Sequence, residues 1–152
     1  MAARPPTAHP APTPPSPDAA VLSVPNEPAA IDQAQNGLVD AAERHRYPKA
    51  SLFALRLSLH EAMSNAFRHG HQNLPPQTPV TVSYQVTDRA IVVTVEDQGP
   101  GFDPHAVPDP TLEENLERGS GRGLLLIRAY MTSAEYNGKG NVLRMVYEMP
   151  AG

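Results

Sequence analysis

Two neighbouring segments with an apolar residue at every second position constrain the fold of this chain most. Apolar side chains occupy every second position of both segments: Val80, Val82, Tyr84 and Val86, then Ile91, Val93 and Val95. Successive side chains on a strand point to opposite faces, so each segment predicts a strand with one buried face. The short Thr87-Asp88-Arg89 connection between them predicts an antiparallel hairpin.

Two stretches with helical spacing of apolar residues precede this hairpin. The first is expected to be capped by Asn26 and to end before Pro48. The second is expected to run from Lys49 to His69, with Gly70 closing it. Both are long enough to cover one face of a small sheet.

The rest of the sequence predicts short strands and one short helix on either side of a long loop. A loop is predicted at 98–122, which is rich in Pro, Gly, Asp and Glu. Short strands are predicted at 20–24, 134–136 and 142–149, and a short helix at 123–131. We expect most strands to pair with their sequence neighbours and the helices to gather on one face of the sheet. This arrangement is an α+β two-layer sandwich with a mainly antiparallel sheet.

The distribution of proline predicts the domain organisation. Half of the 18 prolines fall within the first 28 residues, among Ala, Ser and Thr. Such a segment buries too little apolar area to offset the entropy of ordering it, so residues 1–18 are expected to be a disordered Pro/Ala-rich tail. A partner-docking role for the tail is the less favoured alternative. Residues 19–150 are expected to form a single domain.

The composition excludes several classes of function. The chain has no cysteine, which excludes a disulfide framework and a cysteine metal site. A net charge of −4 without a basic tract argues against nucleic acid as the main partner. No run of 18 apolar residues and no signal-peptide pattern is present, so a cytoplasmic protein without a membrane partner is expected.

The segment 59–70 carries the first pair of candidate functional residues. Glu61 and Asn65 are four residues apart within the second predicted helix, so both side chains share one helix face. His60-Glu61 does not begin a zinc-protease motif, because position 64 is Ser instead of the second His. Taken alone, the pair is typical of an ordinary solvated helix face.

The segment 95–104 carries a carboxylate at the end of a strand. Asp97 follows the second strand of the hairpin, and Gly99 and Gly101 come directly after it. Glycines at these positions permit a positive φ and let the backbone approach a ligand closely. A simple strand-ending turn has the same composition, so this segment alone leaves both interpretations open.

The segment 116–127 is a glycine-rich turn that runs into an apolar helix. Its candidate ligand-binding residues are Gly119, Ser120, Gly121, Arg122 and Gly123. Free backbone N–H groups and the helix dipole favour an anion at such a helix start. The turn is not a Walker A loop, because the chain contains no Gly-x-x-x-x-Gly-Lys-Ser/Thr sequence.

The order and spacing of the three segments resemble the N, G1 and G2 boxes of the GHKL (Bergerat-fold) ATPases. The resemblance covers about residues 20–149 and is strongest to the anti-sigma-factor serine/threonine kinases. It implies an ATP-binding domain with the Bergerat two-layer sandwich and with ATP and Mg²⁺ as cofactors. It also implies roles for three side chains: Asn65 binds magnesium, Glu61 is the general base and Asp97 accepts a hydrogen bond from the adenine amino group.

For the glycines the resemblance implies contacts with the base and the phosphates. Gly99 and Gly101 would lie against the adenine. The turn from Gly119 to Gly123 would bind the phosphates through its N–H groups.

The function implied by this resemblance is that of a protein serine/threonine kinase. Such proteins hold a sigma factor, phosphorylate a small antagonist protein and switch between these two partners; homodimerisation also accords with the resemblance. The alternative is a non-catalytic ATP-binding regulatory adaptor with the same fold. Gyrase-type ATPases and histidine kinases are disfavoured, because only three residues follow Met149 and no phosphoacceptor helix precedes residue 20.

Overall fold

The computed structural model describes residues 18–101 and 120–151. In this part of the chain, five strands form one antiparallel sheet in the order β1-β2-β3-β5-β4, and three helices cover one of its faces. The elements in chain order are β1 (Ala19–Val24), α1 (Pro28–Arg44), α2 (Lys49–Asn65), β2 (Val80–Val86), β3 (Ala90–Glu96), α3 (Ser120–Tyr130), β4 (Ser133–Tyr136) and β5 (Val142–Glu148). The α+β two-layer sandwich predicted from the sequence is confirmed.

The central hairpin has the register that its alternation predicts. Val82 pairs with Val95 and Tyr84 with Val93, and all four side chains are buried on the face toward the helices. On the opposite face, the hydroxyl groups of Ser83 and Thr94 hydrogen-bond across the two strands. A register shift of one residue would move the whole apolar set to the solvent side, so burial of one face fixes the pairing.

Helix α2 lies between the other two helices and supplies much of the core. Its buried apolar side chains recur at three- and four-residue spacing: Leu55, Leu59, Ala62 and Met63. They pack against the inner face of the sheet and against Leu38 of α1 and Ile127 of α3. Full burial of each Leu contributes roughly 1.5–3 kcal/mol, which holds α2 firmly against the strands.

Three helix ends differ from the sequence-based expectation. Asn26 does not cap α1: the N-cap is Glu27, whose N–H donates to the Pro25 carbonyl (2.7 Å), and no side chain caps this helix end. The α-helical part of α2 ends at Asn65, and Ala66–Gly70 form a wider π-helical turn. The third helix already includes Ser120, three residues before the predicted start.

Several predictions concern segments outside the described residues. These are the disordered tail, apart from Asp18, and the part of the loop between 102 and 119. In the part of the chain that the structure does describe, no helix is both long and apolar enough to span a bilayer.

His45, just after α1, connects the start of β1 to the β2–β3 hairpin. Its Nδ1 lies 2.6 Å from Asp88 Oδ1 and its Nε2 lies 3.2 Å from Asp18 Oδ1. The hydrogen bond with Asp88 raises the pKa of His45 above its ordinary value, with partial burial opposing this and Asp18 adding to it. The charged imidazolium is therefore favoured in the folded state.

We expect this contact to make folding stability depend on pH. Because the pKa of His45 is raised on folding, its stabilisation is complete below the unfolded pKa and is lost as pH rises through the folded pKa. His45→Gln should therefore lower the unfolding temperature at about pH 6 and have little effect at about pH 9. Thermal unfolding of both proteins at the two pH values measures this. An equal difference at both values would contradict it.

Candidate functional site

Asn65, the last residue of α2, has a buried side-chain amide with no hydrogen-bond partner among the residues that the structure describes. The residue is 4% exposed, and neither Oδ1 nor Nδ2 has a hydrogen-bond partner within residues 18–101 and 120–151. Leaving such a buried polar group unsatisfied costs about 1–3 kcal/mol. An unsatisfied amide of this kind marks a place where a ligand, an ion or water completes the hydrogen bonding.

Gly123 in the first turns of α3 lies directly against this amide. A Cβ atom at position 123 would lie 2.4 Å from Asn65 Nδ2 and 2.8 Å from Oδ1, so only glycine fits without movement of the amide. The structure thus brings the first and third predicted segments together. The first turns of α3 therefore lie next to Asn65, and the N–H groups at a helix start favour an anionic ligand.

We expect Gly123→Ala to disturb the Asn65 amide and with it any ligand bound there. The added methyl group overlaps a buried side chain, which should reduce the free energy of unfolding by about 1–3 kcal/mol. The matched control is Gly138→Ala, since a Cβ at position 138 has no neighbour within 4 Å. Thermal unfolding of both variants measures the difference. Equal stability of the two variants would show that the close contact at Gly123 does not exist.

Asp97 directly follows β3 and contributes a buried carboxylate to the candidate site. It is 8% exposed, and its Oδ1 accepts the Gly99 N–H at 2.8 Å. Burial raises the pKa of Asp97 above its ordinary value, and the Gly99 hydrogen bond opposes this rise. A buried carboxylate is stable only with donors to satisfy it, so a further donor from a ligand would be favourable here.

Two glycines allow the π-helical turn after α2 to touch the turn that carries Asp97. A Cβ at Gly70 would lie 2.4 Å from the Asp97 carboxyl carbon, and a Cβ at Gly99 would lie 1.8 Å from the Gly70 carbonyl oxygen. The π-helical turn Ala66–Gly70 carries the chain into this contact. The first and second predicted segments therefore meet through backbone and carboxylate, with no room for a side chain between them.

A positive φ, which the sequence allows at both glycines after Asp97, is found at only one of them. Gly101 has a positive φ of 82°, as expected. Gly99 is not among the glycines of positive φ, because what its position requires is close approach to Gly70 rather than an unusual backbone angle.

Glu61 lies one helical turn before Asn65, and its side chain is half-buried. Residues four apart on a helix lie on the same face, so the carboxylate lies on the face that carries the Asn65 amide. The helix therefore places a carboxylate one turn from the buried amide.

The glycine-rich segment is described only in part. Gly119 lies outside the described residues, whereas Ser120, Gly121 and Arg122 belong to the first turn of α3 by their backbone. The side chains of Ser120 and Arg122 are not among the parts that the structure describes.

Comparison with protein families identifies the fold family to which this site belongs. The family model described as the histidine kinase-like ATPase domain matches residues 24–147, a range that contains Asn65, Asp97 and Gly123. The chain belongs to the family of histidine kinase-like ATPase domains. This ATPase domain is also similar to the serine-protein kinase RsbW of Oceanobacillus iheyensis, with 27% identity over 131 residues and 82% of each chain covered.

One residue of the ATPase domain that the sequence did not single out contacts the Asp97 turn. His71 is buried, and its Nε2 accepts the Gln98 N–H at 2.8 Å. Its position directly after the helix-closing Gly70 was the available signal. A histidine there has no recognisable spacing to another functional residue, so only the folded structure reveals the contact.

Proposed function

We propose that this ATPase domain protein is an ATP-dependent serine/threonine kinase of the anti-sigma-factor type. It would phosphorylate a small antagonist protein and exchange that partner for a sigma factor. One observation supports this proposal best: the buried Asn65 amide has no partner among the described residues, and it lies one turn from Glu61 and against Gly123 of α3. The likeness to a serine-protein kinase supports the same reaction class.

Asp97 is proposed to recognise the adenine base. Its buried carboxylate would accept a hydrogen bond from the adenine amino group, which compensates for the water lost on burial. Guanine has a carbonyl oxygen at the corresponding ring position, so it would bring an acceptor against an acceptor. The site should therefore discriminate ATP from GTP.

Asn65 is proposed to bind magnesium through its amide oxygen. Mg²⁺ prefers oxygen ligands and commonly takes one or two from the protein and the rest from phosphates and water. Within residues 18–101 and 120–151, no group of three or more His, Cys, Asp or Glu could hold a metal without such help. The orphaned Oδ1 of Asn65 fits a cation that is held mainly by phosphates.

Glu61 is proposed to be the general base for phosphoryl transfer. The hydroxyl of a Ser or Thr in the protein substrate would attack the γ-phosphorus, and Glu61 would take the hydroxyl proton. Backbone N–H groups at the start of α3 would stabilise negative charge on the phosphoryl oxygens. A carboxylate suits this role because a Ser or Thr hydroxyl is a weak nucleophile until its proton is removed.

The nucleotide part of this proposal is tested by thermal unfolding with ATP, GTP or neither, each with MgCl₂. A ligand at 100 times its dissociation constant adds about 2.7 kcal/mol of stability, which gives a clear rise in unfolding temperature. The rise should appear with ATP and be absent with GTP. Equal rises with both nucleotides would reject adenine recognition by Asp97.

The kinase part is tested with γ-labelled ATP and the antagonist protein from the same organism. Label should appear on Ser or Thr of the antagonist, in a linkage that survives acid, unlike phosphohistidine. Acid-labile label, or label on the ATPase domain protein alone, would contradict the proposal.

A further inference from the structure

We propose that His71 is a positioning residue for the adenine end of the nucleotide site, an inference that rests on the proposed function. Its Nε2 accepts the backbone N–H of Gln98 at 2.8 Å. Gln98 lies between Asp97, which would bind the base, and Gly99, whose N–H donates to Asp97. The imidazole therefore fixes the peptide that carries the base-recognising carboxylate.

Two backbone hydrogen bonds hold the main chain of His71, and one aromatic contact holds its ring. The His71 N–H donates to the Ala66 carbonyl at 2.9 Å, which closes the π-helical turn, and its carbonyl accepts the Leu74 N–H at 3.0 Å. The ring meets Phe67 edge to face, with 5.8 Å between ring centroids. His71 thus connects the helix end that follows Asn65 with the turn that carries Asp97.

The hydrogen bond from Gln98 also fixes the tautomer of His71. An N–H donor at Nε2 requires this nitrogen to be unprotonated, so in the neutral ring Nδ1 carries the proton. Nδ1 is buried and has no hydrogen-bond partner in the described part of the chain. With Nε2 facing the Gln98 N–H, the Nδ1 proton is the atom left without a partner among the described residues.

Two substitutions separate the acceptor from the bulk of the ring. His71→Phe keeps an aromatic ring against Phe67 and removes the acceptor, which leaves the Gln98 N–H unpaired. His71→Gln offers an amide oxygen at similar reach and can restore the hydrogen bond. Loss of the acceptor should raise the dissociation constant for ATP about tenfold, and the Gln variant should stay within about threefold of wild type.

The experiment is an ATP titration in MgCl₂ of wild type, His71→Phe and His71→Gln, followed by phosphotransfer kinetics. For His71→Phe we expect a higher KM for ATP with kcat within about twofold, since Glu61 and Asn65 are unchanged. Nitrogen-15 NMR of the wild-type imidazole should show Nε2 unprotonated, a readout that does not depend on activity.

Three results would overturn the role of His71: wild-type ATP affinity in His71→Phe, equal losses in both variants, or a protonated Nε2 in the neutral ring. Failure of the wild-type protein to bind ATP would reject the proposed function. Normal ATP binding by the wild type together with any of the three results above would reject the role of His71 alone.

Discussion

Asp97→Asn should weaken ATP binding by about 10- to 150-fold, because a hydrogen bond to a charged group contributes about 1.5–3 kcal/mol. If the Asn oxygen keeps the Gly99 N–H bond, its NH₂ group faces the adenine amino group, and two donors meet. The measurement is isothermal titration with ATP and MgCl₂. The matched control is Glu96→Gln, which neutralises the exposed neighbouring carboxylate and should leave ATP affinity unchanged.

The same substitution should not destabilise the protein without nucleotide. Burial raises the pKa of Asp97, which means that the folded site disfavours its charged form. A neutral amide of the same shape avoids that penalty, so the unfolding temperature of Asp97→Asn should equal or exceed that of wild type. Loss of ATP binding together with a large loss of stability would indicate misfolding and would contradict the proposed role.

The raised pKa of Asp97 also predicts how ATP affinity depends on pH. The adenine amino group needs the ionised carboxylate as acceptor, so affinity should be complete above the raised pKa and decline as pH falls through it. Asp97→Asn should remove this dependence. A pH dependence that persists in the variant would assign it to another group.

Glu61→Gln should reduce phosphotransfer to a protein substrate by about 10²- to 10⁴-fold and leave ATP affinity unchanged. The amide keeps the size of the side chain but cannot accept the hydroxyl proton. A matched control is Glu43→Gln, an exposed carboxylate near the end of α1, which should transfer phosphate at the wild-type rate. Phosphotransfer that persists undiminished in Glu61→Gln would reject Glu61 as the base.

The Glu61 experiment also distinguishes the kinase from the alternative of a non-catalytic adaptor. An adaptor would use Asn65 and Asp97 for ATP-dependent partner binding and would not need a proton acceptor at position 61. It would show ATP-stabilised folding with no phosphotransfer in the wild-type protein. In that case Glu61→Gln would change neither ATP binding nor partner binding.

The fold was predictable because its strongest signals are local. The two-residue alternation of β2 and β3 and the helical spacing of Leu55 and Leu59 depend only on which side of an element is buried. The helix ends were less predictable. Asn26 is a good capping residue by type, yet the helix begins with Pro28 as its first residue, which makes Glu27 the N-cap.

For the candidate site, the sequence predicted that the three segments meet, but not the geometry of their contacts. The spacing of Glu61 and Asn65 predicts a shared helix face, whereas the contact of Gly70 with Asp97 joins segments that are far apart in sequence. The π-helical turn that makes this contact has no sequence signature of its own. His71 was missed for the same reason, since its partner Gln98 is 27 residues away.

The central claim is that ATP binds between the end of α2, the turn after β3 and the start of α3. NMR spectra of the labelled protein during an ATP and MgCl₂ titration test it most directly. The account predicts the largest shifts at the Asn65 side-chain amide and at the Gly70, Gly99 and Gly123 backbone amides, with little change at exposed Val21 in β1. Saturable shifts confined to other residues, with Asn65 and Gly99 unmoved, would contradict it.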